Sequence, residues 1–379
     1  MLKLFWKKLT LFKANRVLKQ AQLSIFLILG AGFCYSGCTV TTGTRAGAGE
    51  KPGFFTAAVW NVQTLFDGEG TGNEYTEYRS SAGWNHEKYE ARLLSISRAI
   101  GGMTEKGGPD LIGIIEVENS KILKNLAEGP LAKSGYSYTF FGALPGSSLG
   151  LGVLSRYPFI EARLHSLTDG KTTIPRPVLE VKIEAEGRPL IFFICHWKSK
   201  LGGDDLTERV RRSSAKVLQR RLRELQEEEP GTPAIIMGDL NENYDEFYRQ
   251  GGAVISALLP DDPTAAALAS ALSIGDCLIV SGEKPPAARY FNDSQAAFYS
   301  PWGKELQTGS YWYNNSWETI DHFLLGPELF NGTDWEFEGC EVLASPPFTG
   351  PQGYPQPYMP RNGGGLSDHL PLLLTLKRH

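Results

Sequence analysis

The chain has 379 residues, 41% of them hydrophobic, with 38 basic against 42 acidic residues and a formal charge of −4. That length admits one large α/β domain or two small ones, and no repeat period, coiled-coil heptad or second membrane span is visible. The acidic balance excludes the global electrostatic footprint of a nucleic-acid binder. Any polyanion must therefore be met by a local basic patch or by bound cations.

The first 38 residues read as a leader. Lys3, Lys7, Lys8, Lys13, Arg16 and Lys19 form a basic stretch without an acidic residue, and the apolar run Leu23–Phe33 follows. That run is short for a stable bilayer span. Ser36 and Gly37 then precede Cys38. Charge, length and ending mark an export signal. The segment also resembles a bacterial lipoprotein signal, in which Cys38 would become the lipid-bearing first residue, although Tyr35 stands where such signals usually carry leucine. The alternatives are a cut elsewhere or an uncleaved anchor. Residues 39–53, rich in glycine and threonine, would form a tether, and residues 54–379 the domain. The chain is thus expected to be exported and held at the cell envelope, on the inner or outer membrane, or else secreted. Without residues 1–38, 32 basic residues face 42 acidic ones, a formal charge of −10. Cys195, Cys277 and Cys340 then remain, an odd number that gives no disulfide framework. Cys195 reads as a small core residue.

Strands are predicted at Phe54–Val62, Leu111–Val117, Tyr138–Phe141, Leu151–Ser155, Val178–Ile183, Leu190–Trp197 and Ala234–Met237. Further strands are predicted at Ser310–Tyr313, Thr319–Leu325 and Leu372–Leu376. Apolar residues at helical spacing predict helices over His86–Ile100 and Leu206–Gln226, the second capped by Asp204 or Asp205. Strands outnumber helices, and several short links suggest antiparallel pairs. The pattern fits an α+β sandwich of mixed sheets better than a doubly wound parallel sheet. Long polar or Gly/Pro-rich loops at 67–85, 283–309 and 345–366 lie close in sequence to the polar clusters and suit a site built on loops.

Polar residues punctuate the strand ends. Val59-Trp60-Asn61 closes the first strand. Ile115-Glu116 closes the second, where a carboxylate in an apolar run needs a partner or a metal. Cys195-His196-Trp197-Lys198-Ser199-Lys200 leaves another, with Lys198 and Lys200 on alternate positions from His196. They read either as a local basic patch or as two solvated lysines. Gly238-Asp239-Leu240-Asn241 follows a short apolar run, and Gly238 reads as the point where the chain turns out of the sheet. Ile320-Asp321-His322 opens a strand, and Ser367-Asp368-His369 precedes the last one. Each piece alone has an ordinary turn or capping explanation. All of them together do not.

With Leu154-Ser155-Arg156, these pieces run in order from residue 60 to 369 and resemble the endonuclease/exonuclease/phosphatase superfamily. The resemblance implies a four-layer sandwich, two β-sheets face to face with helices outside. It implies metal-dependent phosphoester hydrolysis, with Glu116 as principal metal ligand and Asn61 and Asp368 beside it. Hard oxygen ligands suit Mg²⁺, with Mn²⁺ or Ca²⁺ as alternatives. Asp239 is implied to orient or deprotonate the attacking water, with Asn241 holding that water or a phosphate oxygen. His369 would contact the scissile phosphate with Asp321 orienting its ring, and His196 would supply a second donor. Which histidine protonates the leaving oxygen stays open. Lys198 is expected at the substrate, and Arg156 either there or in a structural role.

The substrate expected is DNA or RNA, cut with little sequence preference. Tyr311, Trp312, Tyr313, Trp317, Tyr354, Tyr358 and Arg361 precede site residues and suit base stacking, though core packing is the commoner use of aromatics. A phospholipid or small-molecule phosphodiester is the alternative substrate. A binding module without catalysis is the third reading.

Overall fold

A computed structural model describes residues 53–169, 172–291 and 297–379, with backbone alone at 167–169, 172–175, 204 and 205. The expected leader, nearly all of the tether and Cys38 lie outside the described residues. Among the described residues sixteen strands, numbered in chain order, form two large sheets and a small hairpin. The first sheet runs β15 (Trp335–Val342), β16 (Leu372–Arg378), β1 (Phe54–Leu65), β2 (Leu111–Val117), β4 (Gly150–Ser155), β3 (Tyr138–Gly142). The second runs β5 (Phe159–Asp169), β6 (Thr172–Ala185), β7 (Arg188–His196), β8 (Ala234–Asp239), β14 (Asp321–Leu325), β11 (Ala297–Tyr299), β10 (Leu278–Ser281), β9 (Leu258–Pro260). Both are mixed: β1–β2 and β7–β8 pair parallel, and β1–β16 and β8–β14 antiparallel. The hairpin joins β12 (Tyr311–Tyr313) to β13 (Ser316–Glu318).

The alternation of side chains along each strand makes the layers. Phe55, Ala57 and Val59 of β1 join Leu111 and Ile115 of β2, Phe192 and Ile194 of β7, and Ile235 and Met237 of β8 in one buried cluster between the sheets. The opposite faces carry helices α1 (His86–Gly101), α2 (Ser120–Glu128), α3 (Asp204–Glu228), α4 (Glu246–Arg249) and α5 (Pro263–Ala271). Tyr89, Leu93, Ile96, Leu123 and Leu126 pack on Ala58, Trp60 and Ile114 of the first sheet. Ala215, Leu218 and Leu222 pack on Phe193, Cys195 and Ile236 of the second. The architecture is the four-layer sandwich. No helix among the described residues is long and apolar enough to cross a membrane.

Two expectations are corrected by the backbone. Gly238 does not turn the chain out of the sheet: β8 continues through it to Asp239. Its φ is +147°, and a Cβ there would lie 2.0 Å from the Cys195 carbonyl oxygen, so glycine is required by the tight β7–β8 approach. The bend comes at Asn241, with φ +50°. Helix α3 begins at Asp204 behind Gly203, so the two aspartates fall in its first turn rather than at its cap. Cys195, Cys277 and Cys340 are all free thiols.

Candidate active site

Strand parity predicts where the second sheet puts its polar groups. Ile194 and Met237 face the other sheet, so His196 and Asp239, two residues on, face it too. Phe323 and Leu325 likewise fix the face of Asp321. The pairing register sets His196 beside Asp239 and Asp239 beside Asp321, one polar row across three strands. His322 has the opposite parity and is bonded through Nε2 to the Glu242 carbonyl, 2.8 Å away, outside the site.

The first sheet reaches the same space by irregularity. Asn61 shares the inward parity of Val59 and donates from Nδ2 to Asp239 Oδ2 at 3.1 Å, across the gap between the sheets. Glu116 would face outward by alternation, after Ile112 and Ile114. A register shift between Ile115 and Val117 instead sends Val117 to the outer cluster with them and frees Glu116 to turn inward. Glu116 has φ +70°, and Gln63 and Thr64 beside it have +53° and +54°. Such left-handed backbone costs of order 1–3 kcal/mol per residue and gathers at functional sites. Here it lets the Thr64 N–H reach Glu116 Oε2 at 2.9 Å.

The Ser367-Asp368-His369 segment is clamped to the end of β1. Ser367 Oγ donates to the Asn61 carbonyl at 2.7 Å, Asp368 N to Gln63 Oε1 at 3.1 Å, and Trp60 Nε1 to the His369 carbonyl at 3.0 Å. Buried Arg92 bonds both the Val62 and Leu366 carbonyls. His369 Nδ1 lies 2.8 Å from Asp321 Oδ2, and Asp321 Oδ1 is buried without a hydrogen-bond partner among the described residues. His369 Nε2 is 3.9 Å from Asp239 Oδ2.

The charges shift as this crowding requires. Burial works against a charged His369, but the adjoining Asp321 carboxylate prevails and lifts its pKa well above the usual imidazole value. His196 goes the opposite way, lowered by burial and by the charges of Arg176, His369 and Lys198. Asp239 is pushed up by burial and by Asp321, against the pull of His369. Glu116 is pushed up by burial and then by Asp368.

These shifts test whether a divalent cation fits. Glu116 keeps one oxygen free of hydrogen bonds, and the Asp368 carboxylate has no hydrogen bond or ion pair among the described residues. Burial and then the neighbouring Asp368 raise Glu116, and a carboxylate so placed calls for positive charge beside it. An oxygen-only pair suits a hard cation. A second group, Asp239, Asp321 and His369, also has its ligand atoms within 4.8 Å of one another. There, however, Asp321 and His369 share a proton, and both Asp239 oxygens already accept from Asn61 and Asn241. Glu116 and Asp368 fit the metal better.

Other expected residues fall elsewhere. Arg156 follows Ser155, the β4 residue opposite Leu111, at the far end of β2 from Glu116. It pairs with Asp110 at 3.0 Å and donates to the Ser134, Lys106 and Gly108 carbonyls, so it is structural and not a substrate contact. Lys200 is held by Glu246 at 2.6 Å. Lys198 donates to Ser199 Oγ and the Leu201 carbonyl, and its charge acts on His196. Strand geometry has ended at His196, so the two lysines share no face with it. Asn241 donates its backbone N–H to Asp239 Oδ1 at 2.9 Å and Nδ2 to the Trp197 carbonyl at 3.2 Å. The sequence reading missed Arg176, which bonds His196 Nδ1 at 2.7 Å. Two prolines flank Arg176, so no alternation pattern marks its side chain. It also missed Tyr75, a 41% exposed ring whose hydroxyl feels Glu116 and Arg176.

The sandwich and its polar row define a metal-dependent phosphoesterase. Residues 56–378 match the profile of the Endonuclease/Exonuclease/phosphatase family, and the chain belongs to it. Among solved structures, an endonuclease/exonuclease/phosphatase family protein from Bacteroides thetaiotaomicron is similar at 16% identity, TM-score 0.51, over 87% of this chain and 96% of that one. D. rerio TDP2 complexed with single strand DNA product is similar at 14% identity, TM-score 0.50, over 85% and 98%. TDP2 from Caenorhabditis elegans is similar at 11% identity, TM-score 0.50, over 85% and 74%. These likenesses concern the fold. No curated protein matches the sequence.

Proposed function

We propose that this phosphoesterase is a nuclease of low sequence specificity acting on DNA or RNA. The observation that carries the reading is an aromatic path leading out of the site. The Tyr311 ring lies 4.7 Å from His369, and Tyr313 stacks on Tyr311 at 6.1 Å with 18° between planes. Tyr313 is 56% exposed. Rings offered in this way take nucleobases of any identity, because every base has a π-face. The similar fold of D. rerio TDP2, whose structure holds a single-strand DNA product, supports the same substrate class.

A divalent cation held by Glu116 and Asp368, with Asn61 beside them, would supply charge stabilisation at the phosphoryl oxygens. The remaining steps belong to side chains of the polar row. Asp239, kept accessible to a proton by burial, receives one from the attacking water. Asn241 bonds the Asp239 carboxylate and so holds it in place. His369, charged through its Asp321 partner, faces the phosphate. Cys38 anchors the exported protein to a membrane through lipid, with residues 39–53 as tether.

The purified protein is incubated with plasmid DNA, single-stranded DNA, RNA, sphingomyelin and a generic bis-phosphodiester, with Mg²⁺, Mn²⁺ or chelator. Nucleic acid is expected to be cleaved and the cleavage lost with chelator. Hydrolysis of sphingomyelin or the small diester without nucleic acid would replace the nuclease reading with that of a phospholipid or small-molecule phosphodiesterase. Hydrolysis of none would leave a binding module.

A further inference from the structure

We infer that Arg176 is a positioning residue that locks His196 in one tautomer, making it a fixed hydrogen-bond donor toward the reacting phosphate. A guanidinium has five N–H donors, no acceptor and no accessible neutral form. Its Nη1 lies 2.7 Å from His196 Nδ1. A proton on Nδ1 would set donor against donor, so Nδ1 presents its lone pair and the ring's single proton sits on Nε2.

The position of Nε2 gives that proton a use. It lies 3.7 Å from Glu116 Oε1 and 3.7 Å from Asp239 Oδ2, too far from either for a hydrogen bond. Nε2 has no hydrogen-bond partner among the described residues. Its N–H therefore points between the proposed metal carboxylate and the proposed water-handling carboxylate, where a phosphoryl oxygen is received. A ring held this way donates without first having to gain a proton. The second histidine is built with the opposite polarity: His369 Nδ1 faces an acceptor, Asp321 Oδ2, and so carries its proton there. One imidazole is held by a cation and the other by an anion. That difference divides their work, with His196 a constant donor beside the metal.

The inference rests on the proposed phosphate-facing role of His196, but its first test needs no substrate. Long-range ¹H–¹⁵N spectra of the imidazoles in the wild-type protein are expected to show His196 protonated at Nε2 and bare at Nδ1. A proton on Nδ1 would overturn the inference, whether or not nucleic acid is cleaved. In Arg176→Met the Nε2–H signature is expected to give way to mixed tautomers, and kcat to fall about 10–100-fold with little change in KM. Arg176→Lys, which keeps a donor, is expected to restore the signature and most of kcat. Loss of kcat in Arg176→Met with the tautomer unchanged would mark the arginine as merely structural and overturn the assignment. So would an unchanged tautomer with unchanged kcat.

Discussion

The two sheets reach the active site by different means. The second sheet delivers His196, Asp239 and Asp321 in a regular row, set by β-pairing alone. The first delivers Glu116 only through a register shift and a left-handed backbone residue, with Gln63 and Thr64 bent beside it. Regular pairing sets titratable groups at fixed distances from one another across neighbouring strands. Irregular backbone turns Glu116 out of its natural face and leaves one of its oxygens free of hydrogen bonds among the described residues, as the proposed metal ligand requires. The comparison predicts that the two sheets fail differently when altered.

The largest expected effect lies in the regular row. Asp239→Asn removes the proposed proton acceptor and is expected to lower kcat by about 1,000-fold. Asp321→Asn loses the anion that holds His369 Nδ1–H and is expected to cost about 100-fold or more. Neither is expected to change the metal concentration at half-maximal activity. A shift in that concentration together with kcat would break the division between the sheets.

Smaller effects are expected on stability, and they fall on the second sheet's outer face. Glu180 of β6 is buried against Arg221 of α3, at 2.8 Å, and against His165. Burial opposes its charge, but the hydrogen bonds from His165 and Arg221 prevail and hold its pKa down to about 2, from 4.5. A lowered carboxylate pKa contributes stability that is fully present above 4.5 and is lost as pH falls toward 2. The contribution is about 3 kcal/mol by linkage. Urea unfolding at pH 7 and pH 3 is expected to show more than half of that loss in the wild type, the rest following below pH 3, and a flatter dependence in Glu180→Gln. Equal losses in both proteins would remove Glu180 as the source.

The same difference decides what the sequence makes legible. Alternation along β7, β8 and β14 is enough to face His196, Asp239 and Asp321 inward, and the apolar stripe of α1 marks its extent to within a residue. Alternation gives the wrong face for Glu116, because a bulge has no signature in Ile114-Ile115-Glu116-Val117. The resemblance of motifs, rather than periodicity, singles it out. Strand β15 carries the apolar residues Trp335, Phe337, Cys340 and Val342, but a register shift between Phe337 and Gly339 breaks their spacing and hides the strand from periodicity. The short strands β9, β10 and β11 hold three or four residues each, too few for any period to show. Arg156 and Lys200 look like free positive charge until Asp110 and Glu246 are seen beside them. Arg176 becomes visible only when β6 is laid against β7.

The claim on which the rest depends is that Glu116 and Asp368, not the Asp239–Asp321–His369 group, hold the divalent ion. Calorimetric titration of Mg²⁺ into wild type, Glu116→Gln and Asp239→Asn tests it directly. Binding is expected to be lost in Glu116→Gln and kept in Asp239→Asn. Retention in the first and loss in the second would put the ion in the regular row and contradict the account.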